Sequence, residues 1–324
     1  MVNPMTHSVF LDTDSLDRGD LSWSSMEGQL PELVLYPATQ PEQVTERIQD
    51  CEVVISNKVV LDRPVLNQAH NLRLICIAAT GTNNVDLEYC QERGITVCNV
   101  RDYATASVVQ HVFSLMLALK TRLLDYQAAV KNGAWSRSEQ FCLLDYPISE
   151  LSGRTLGIIG YGVLGKAVAD VARAFGMEVL ISQRPGSTDC PAVRVPLETL
   201  YKHSDIISLH CPLAENTQGL ISADALQQMQ DHALLINTAR GGLIDEVALA
   251  NALHQGHIQA AGLDVLSQEP PPVDHPLLAP DIPNLLITPH IAWASLESRQ
   301  RLLNQLAENI MAFLNDQPQN VVTP

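Results

Sequence analysis

Three polar residues each close an apolar run in the second half of the chain: Arg240 in INTARGGLID, Glu269 in GLDVLSQEPP and His290 in NLLITPHIAWAS. The aliphatic runs before them read as strands. Each polar residue therefore stands at the carboxyl end of a strand, where open α/β sheets bind ligands. The three residue types answer three needs of one reaction, the reduction of a 2-keto acid. An arginine fork holds a carboxylate through two parallel N–H bonds. A histidine changes protonation near neutrality and can hand a proton to a ketone oxygen. A carboxylate beside that histidine favours the charged imidazolium, so Glu269 would keep His290 loaded as the acid. Singly, each has a plainer job: Arg240 as a helix cap, Glu269 as a solvated loop residue, His290 as a structural histidine. Their recurrence at three strand ends beside a dinucleotide motif favours the chemical reading.

That motif is Gly160-Tyr161-Gly162-Val163-Leu164-Gly165, which follows TLGII and opens the helical stretch KAVADVARAF. In this context the first glycine permits a tight turn, the second lets the backbone approach a pyrophosphate, and the third lets helix and strand pack closely. The helix N-terminus adds unpaired N–H groups for the anion. The expected cofactor is NAD(H) or NADP(H). About 20 residues on, a carboxylate usually binds the adenosine ribose; here the segment is Ser182-Gln183-Arg184. Gln183 can hydrogen-bond a ribose without repelling a 2′-phosphate, and Arg184 can pair with one or point to solvent. Both dinucleotides stay open.

These groups must be held by a scaffold, and the pattern supplies two. Short strands (HSVFLDT, ELVLY, CEVVISN, LRLICIAAT, ITVCNV) alternate with helical stretches over the first hundred residues. A long amphipathic stretch, ATASVVQHVFSLMLALKTRLLDYQAAVKNG, then predicts one continuous connector helix. From Leu156 a second series follows: TLGIIG, MEVLIS, DIISLHC, HALLINT, QAAGLDVL and NLLITPH. Alternation of this kind predicts an α/β protein with two doubly wound parallel sheets. The last helix, near Leu296 to Asn315, has no strand after it and is free to return to the first sheet.

Composition narrows the class further. The 324 residues carry a formal charge of -16, and the Lys and Arg residues form no basic stripe, which argues against nucleic acid as a partner. No apolar stretch reads as a membrane span and the N-terminus does not read as a signal peptide, so a cytoplasmic protein is expected. Seven cysteines lie scattered without a C-x-x-C pair, which fits reduced thiols better than disulfides, and no metal site is expected.

Through GYGVLG, the HCPL segment at His210 to Leu213, NTARGGLIDE, LDVLSQEPP and TPHIAWAS, the chain resembles the D-isomer-specific 2-hydroxyacid dehydrogenase family over essentially its whole length. Within it, AATGTNNVDL at Ala78 to Leu87, RDYATASVVQHVF at Arg101 to Phe113 and FCLLDYPI at Phe141 to Ile148 are similar to the bacterial glycerate dehydrogenases, also called hydroxypyruvate reductases. The resemblance implies that Arg240 orients the substrate, His290 exchanges the proton and Glu269 pairs with His290. It places the backbone of Thr80 and Gly81 at the substrate carboxylate and Asp264 near the nicotinamide carboxamide. It sets His210, Cys211 and Pro212 beside the adenosine, and Thr238 and Ala239 near the nicotinamide ribose. It further implies a substrate-binding domain of residues 1–101 and 292–324, and a Rossmann cofactor domain of residues 102–291. It also implies a cleft between them that closes on binding, and a segment near 131–150 that embraces a second copy in a homodimer. Gln110 and Gln183 stand where many relatives carry acids.

The expected activity is hydride transfer between NAD(P)H and a small 2-keto acid, hydroxypyruvate or glyoxylate going to D-glycerate or glycolate. Two alternatives stand beside it: a dinucleotide-sensing, corepressor-like interaction protein, and a dehydrogenase of another small acid such as phosphite. Formate enzymes of the superfamily carry glutamine where this chain has Glu269, which counts against formate.

Overall fold

The computed structural model describes residues 7–28, 30–186 and 193–323. It divides into two compact units, Met1–Ala104 with Trp293–Pro324, and Thr105–Ala292.

In the first unit, five short strands are Ser8–Phe10 (β1), Leu33–Leu35 (β2), Val53–Ser56 (β3), Leu74–Ile77 (β4) and Thr96–Cys98 (β5). They pair in parallel in the order β2-β1-β3-β4-β5. Every residue of β3 and β4 is buried, as expected of a parallel sheet covered on both faces. The two-residue period sorts their side chains. Val9, Val54, Ile75 and Ile77 meet Val44, Ile48, Leu66 and Tyr89 on one face. Phe10, Val53, Ile55, Leu74 and Cys76 meet Leu302, Leu303, Leu306 and Ile310 of the helix Leu296–Leu314 on the other. That helix is capped by Ser295, whose hydroxyl accepts the Ser298 N–H, and it covers one face of the sheet begun at the N-terminus.

The second unit holds Thr155–Ile159 (β6), Glu178–Ile181 (β7), Ile206–Leu209 (β8), Leu234–Asn237 (β9), Ala260–Leu263 (β10) and Leu285–Ile287 (β11). The order is β11-β10-β9-β8-β6-β7, again all parallel. Between β6 and β8 the winding reverses, which opens a crevice at their carboxyl ends. The two doubly wound sheets expected from the sequence are both present.

The connector departs from expectation. In place of one helix there are two, Thr105–Lys120 and Leu123–Lys131. Arg122 between them has φ 55°, which breaks the helical ladder. Its guanidinium reaches Asp125 Oδ2 and Asn284 Oδ1, each at 2.6 Å, and lies against the Tyr146 ring. These tertiary partners hold a turn where the local pattern alone continues the helix.

Residues 138–150 contain neither helix nor strand, yet Phe141 and Leu144 are 89% and 81% exposed. The segment is pinned at a few points: Tyr126 donates to the Tyr146 carbonyl at 2.7 Å and Trp135 Nε1 to that of Phe141 at 2.9 Å. Among the described residues the six cysteines are free thiols, five of them buried; Cys190 lies outside the described residues. No helix among the described residues is long and apolar enough to cross a membrane.

Candidate active site

The loop after β6 is built around its glycines. Gly160 has φ 98°, and a Cβ there would meet the Cys211 nitrogen and the His210 carbonyl carbon at 2.4 Å each. The β6 and β8 strand ends therefore touch backbone to backbone at the point where the sheet order reverses. A Cβ on Gly165 would lie 2.1 Å from the Gly160 carbonyl oxygen, so the helix Val163–Ala174 sits directly against the loop. Gly162 is the opposite case. Nothing lies within 4 Å of its Cβ position, and it caps the helix without a side-chain bond. A bare backbone with unpaired helical N–H groups facing open space is what a pyrophosphate requires. Val163 is exposed there and Leu164 half-buried. The residues present thus fit a dinucleotide.

Arg240, Glu269 and His290 all belong to this same unit, following β9, β10 and β11. Asn237, the last residue of β9 and fully buried, shapes the first turn: its Nδ2 donates to the Arg240 carbonyl at 2.8 Å and its Oδ1 accepts from Ala239 N at 3.0 Å. Arg240 is exposed, with Nη1 on the Ala239 carbonyl at 2.7 Å. Gly241 then presses on the Glu269 loop, because a Cβ there would lie 1.9 Å from the Leu266 carbonyl carbon. Glu269 Oε1 accepts the Leu266 N–H at 3.0 Å while Oε2 lies 2.6 Å from His290 Nδ1. With Nδ1 turned to the carboxylate, a proton exchanged with substrate would travel on Nε2. His290 has φ 55°, rare for a histidine, and is held there by its N–H on the Asp264 carbonyl at 2.7 Å.

The D-isomer specific 2-hydroxyacid dehydrogenase, NAD binding domain, family pattern matches residues 113–292. The chain belongs to the D-isomer-specific 2-hydroxyacid dehydrogenases. It is 46% identical to a glycerate dehydrogenase of Methylorubrum extorquens, over 97% of this chain and 98% of that one. It is 40% identical to a hydroxypyruvate reductase of Blautia hydrogenotrophica, over the same shares. Among solved structures it is similar to an NADPH-dependent glyoxylate/hydroxypyruvate reductase from Sinorhizobium meliloti in complex with NADP and malonate. There the TM-score is 0.82 at 26% identity, covering 98% of this chain and 97% of that one. The dehydrogenase therefore transfers hydride between a nicotinamide dinucleotide and a small 2-keto or 2-hydroxy acid.

Other residues of this dehydrogenase fall around the cradle in different ways. The Thr238 hydroxyl oxygen is buried without a hydrogen-bond partner, an orphan that a bound ribose would satisfy. His210 bonds Ser208 Oγ at 2.9 Å, and burial pushes it down to about 4, so it stays neutral. Burial pushes the Cys211 thiol up to about 11, which leaves it inert. The Pro212 carbonyl accepts from Thr217 Oγ1 at 2.8 Å. Gln183 lies two residues past β7 with its N–H on the Val195 carbonyl at 2.7 Å, and Arg184 is exposed beyond it.

Asp264 is 1% exposed and spends its carboxylate on the chain itself, accepting from Thr288 Oγ1 at 2.6 Å, Ile291 N at 2.9 Å and Ala292 N at 2.8 Å. His111 Nε2 lies 2.8 Å from the same Thr288 oxygen. The side chain thus shapes the loop that carries His290. Thr80 and Gly81 lie in the other unit, in the turn after β4. There the Thr80 carbonyl accepts Asn99 Nδ2 at 2.7 Å and its hydroxyl donates to the Val100 carbonyl at 2.9 Å. Asn237 and His111 went unassigned in the sequence. The signal for Asn237 was its place directly before Thr238; for His111 only tertiary contact reveals a role. Among the described residues no three His, Cys, Asp or Glu side chains are placed to hold a metal ion.

Proposed function

We propose that this dehydrogenase reduces hydroxypyruvate or glyoxylate to D-glycerate or glycolate. The carrying observation is the 2.6 Å contact between Glu269 Oε2 and His290 Nδ1, in the unit that also bears the glycine cradle. The names of the relatives support the substrate class. In this reading the bound reduced nicotinamide supplies a hydride to the keto carbon. Arg240 holds the substrate carboxylate by its fork. His290 delivers the proton to the carbonyl oxygen from Nε2, and Glu269 fixes the ring through Nδ1. The unit Thr105–Ala292 holds the cofactor, through the Gly160 to Gly165 loop, Gln183, Arg184, His210 to Pro212, Thr238, Ala239 and the loop held by Asp264. The unit made of both chain ends carries the substrate.

The dinucleotide is NADH or NADPH. A neutral Gln183 beside an exposed Arg184 supports acceptance of the 2′-phosphate, as does the NADPH-dependent relative. No step of this chemistry needs a metal. The exposed Phe141, Leu144 and Ile148 support a homodimer formed through residues 131–150, and free buried thiols suit the reducing cytoplasm.

Steady-state kinetics on hydroxypyruvate, glyoxylate, pyruvate and phosphite, with the reduced or oxidised forms of both dinucleotides, test the reading. The expected result is the highest kcat/KM with hydroxypyruvate or glyoxylate. Dinucleotide binding with negligible turnover of every acid would instead favour a sensor, and turnover of phosphite alone would replace the substrate.

A further inference from the structure

Behind Glu269 lies a second carboxylate whose oxygens are also spoken for. Glu246 opens the helix Glu246–Gln255, and its side chain is 11% exposed. Its Oε1 accepts the Ser267 N–H at 2.7 Å; its Oε2 accepts the Ser267 hydroxyl and meets His275 Nε2 at 3.1 Å. The preceding amide, Leu266 N–H, goes to Glu269 Oε1 at 3.0 Å. Two successive backbone N–H groups are thus divided between two carboxylates.

His275, only 6% exposed, seats Glu246 in turn. Its Nδ1 accepts the Leu277 N–H at 3.2 Å, so the ring proton resides on Nε2, the atom that donates to Glu246. The stretch from Ser267 to His275 includes three consecutive prolines and forms neither helix nor strand, so no backbone ladder fixes it. Its position comes from these side-chain bonds and from Gly241 pressed against Leu266 and Ser267.

We infer that Glu246, seated by His275, is a positioning residue that fixes the Leu266–Ser267 turn from which Glu269 reaches His290. The inference rests on the proposed role of Glu269. Glu246 acts at one remove from the reacting atoms. Without its two bonds to Ser267, the turn that donates to Glu269 is free to shift, and small misplacements in a proton-transfer pair are costly.

A double-mutant cycle on the full chain tests this, reading kcat, KM for the keto acid, dinucleotide Kd and Tm. Glu246→Ala is expected to lower kcat about tenfold, as Glu269→Gln does, with KM for the keto acid and dinucleotide Kd unchanged. Added to Glu269→Gln, it should cost little more, because the residue acts through the one already removed. His275→Gln, which keeps an N–H donor, should retain most activity, whereas His275→Leu should behave like Glu246→Ala; this pair also serves if Glu246→Ala fails to fold. Fully multiplicative losses, a loss in Glu246→Ala that falls on dinucleotide Kd instead of kcat, or equal activity in the two His275 variants would overturn the inference. If Glu269→Gln itself matches the unaltered enzyme in rate, the reading of Glu269 falls, and the inference with it. An effect of Glu269→Gln without one of Glu246→Ala removes the inference alone.

Discussion

His290 stands at φ 55° with its Nδ1 2.6 Å from Glu269 Oε2, so one ring nitrogen is committed to a carboxylate from the neighbouring strand end. Both side chains are about a third exposed, which leaves the pair open to a substrate while its geometry is held from behind by the Asp264 carbonyl and the Leu266 N–H. The proposed proton donor is thereby oriented before any substrate arrives.

Replacing the carboxylate by an amide keeps the shape and removes the charge. Glu269→Gln should lower kcat roughly 10- to 100-fold, of the order that general acid catalysis contributes. The loss should fall on kcat and leave dinucleotide Kd unchanged, because the pair orients the proposed proton donor and not the cofactor. His210, pushed down to about 4 by burial, is neutral and supplies no acid in its place. An unchanged kcat in the variant would remove the pairing from the mechanism.

Arg240→Ala should raise KM for the keto acid about 100-fold or more while leaving dinucleotide Kd within about threefold, since in the proposed reading the fork serves the acid and not the cofactor. Arg240→Lys should recover only part, because an ammonium cannot bind both oxygens in parallel. Equal weakening of acid and dinucleotide would mean that Arg240 supports the loop instead.

The two glycines of the cradle should separate binding from folding. Gly162 faces open space, so Gly162→Ala should fold with an unchanged Tm and still weaken the dinucleotide about tenfold by crowding the pyrophosphate. Gly165→Ala places a methyl 2.1 Å from the Gly160 oxygen, an overpacking that costs about 1–3 kcal/mol. Thermal melts and calorimetric titration of both variants check this; a drop in Tm for Gly162→Ala would contradict it.

Gln183→Asp brings a charge that repels a 2′-phosphate and binds ribose hydroxyls. The ratio of kcat/KM for NADH over NADPH should rise about tenfold or more, read in parallel assays at one ionic strength. An unchanged ratio would place the adenosine ribose elsewhere.

Phe141 and Leu144 expose large apolar side chains that a second copy would cover. Sedimentation should show a dimer, and Phe141→Asp with Leu144→Asp should shift it toward monomer without loss of the folded core. A monomer at all concentrations for the unaltered protein would retire the proposal.

Much of this was readable along the chain, for a physical reason. Parallel strands buried on both faces must be continuous apolar runs, so LLINT, QAAGLDVL and LLITP announced β9, β10 and β11 and placed Arg240, Glu269 and His290 at their ends. The glycines were equally legible, because Gly160 and Gly165 sit where any Cβ collides with backbone. What local sequence could not disclose was contact between distant segments. The break at Arg122 depends on Asn284 and Tyr146, against a local pattern that favours continued helix. The left-handed backbone of His290 is imposed by Asp264, and the course of the proline-rich loop by Glu246 and His275. Residue types and strand ends are properties of the chain's own periodicity. The distance between Glu269 and His290, on which the proposed chemistry depends, arises only when three loops from one sheet edge are packed against each other.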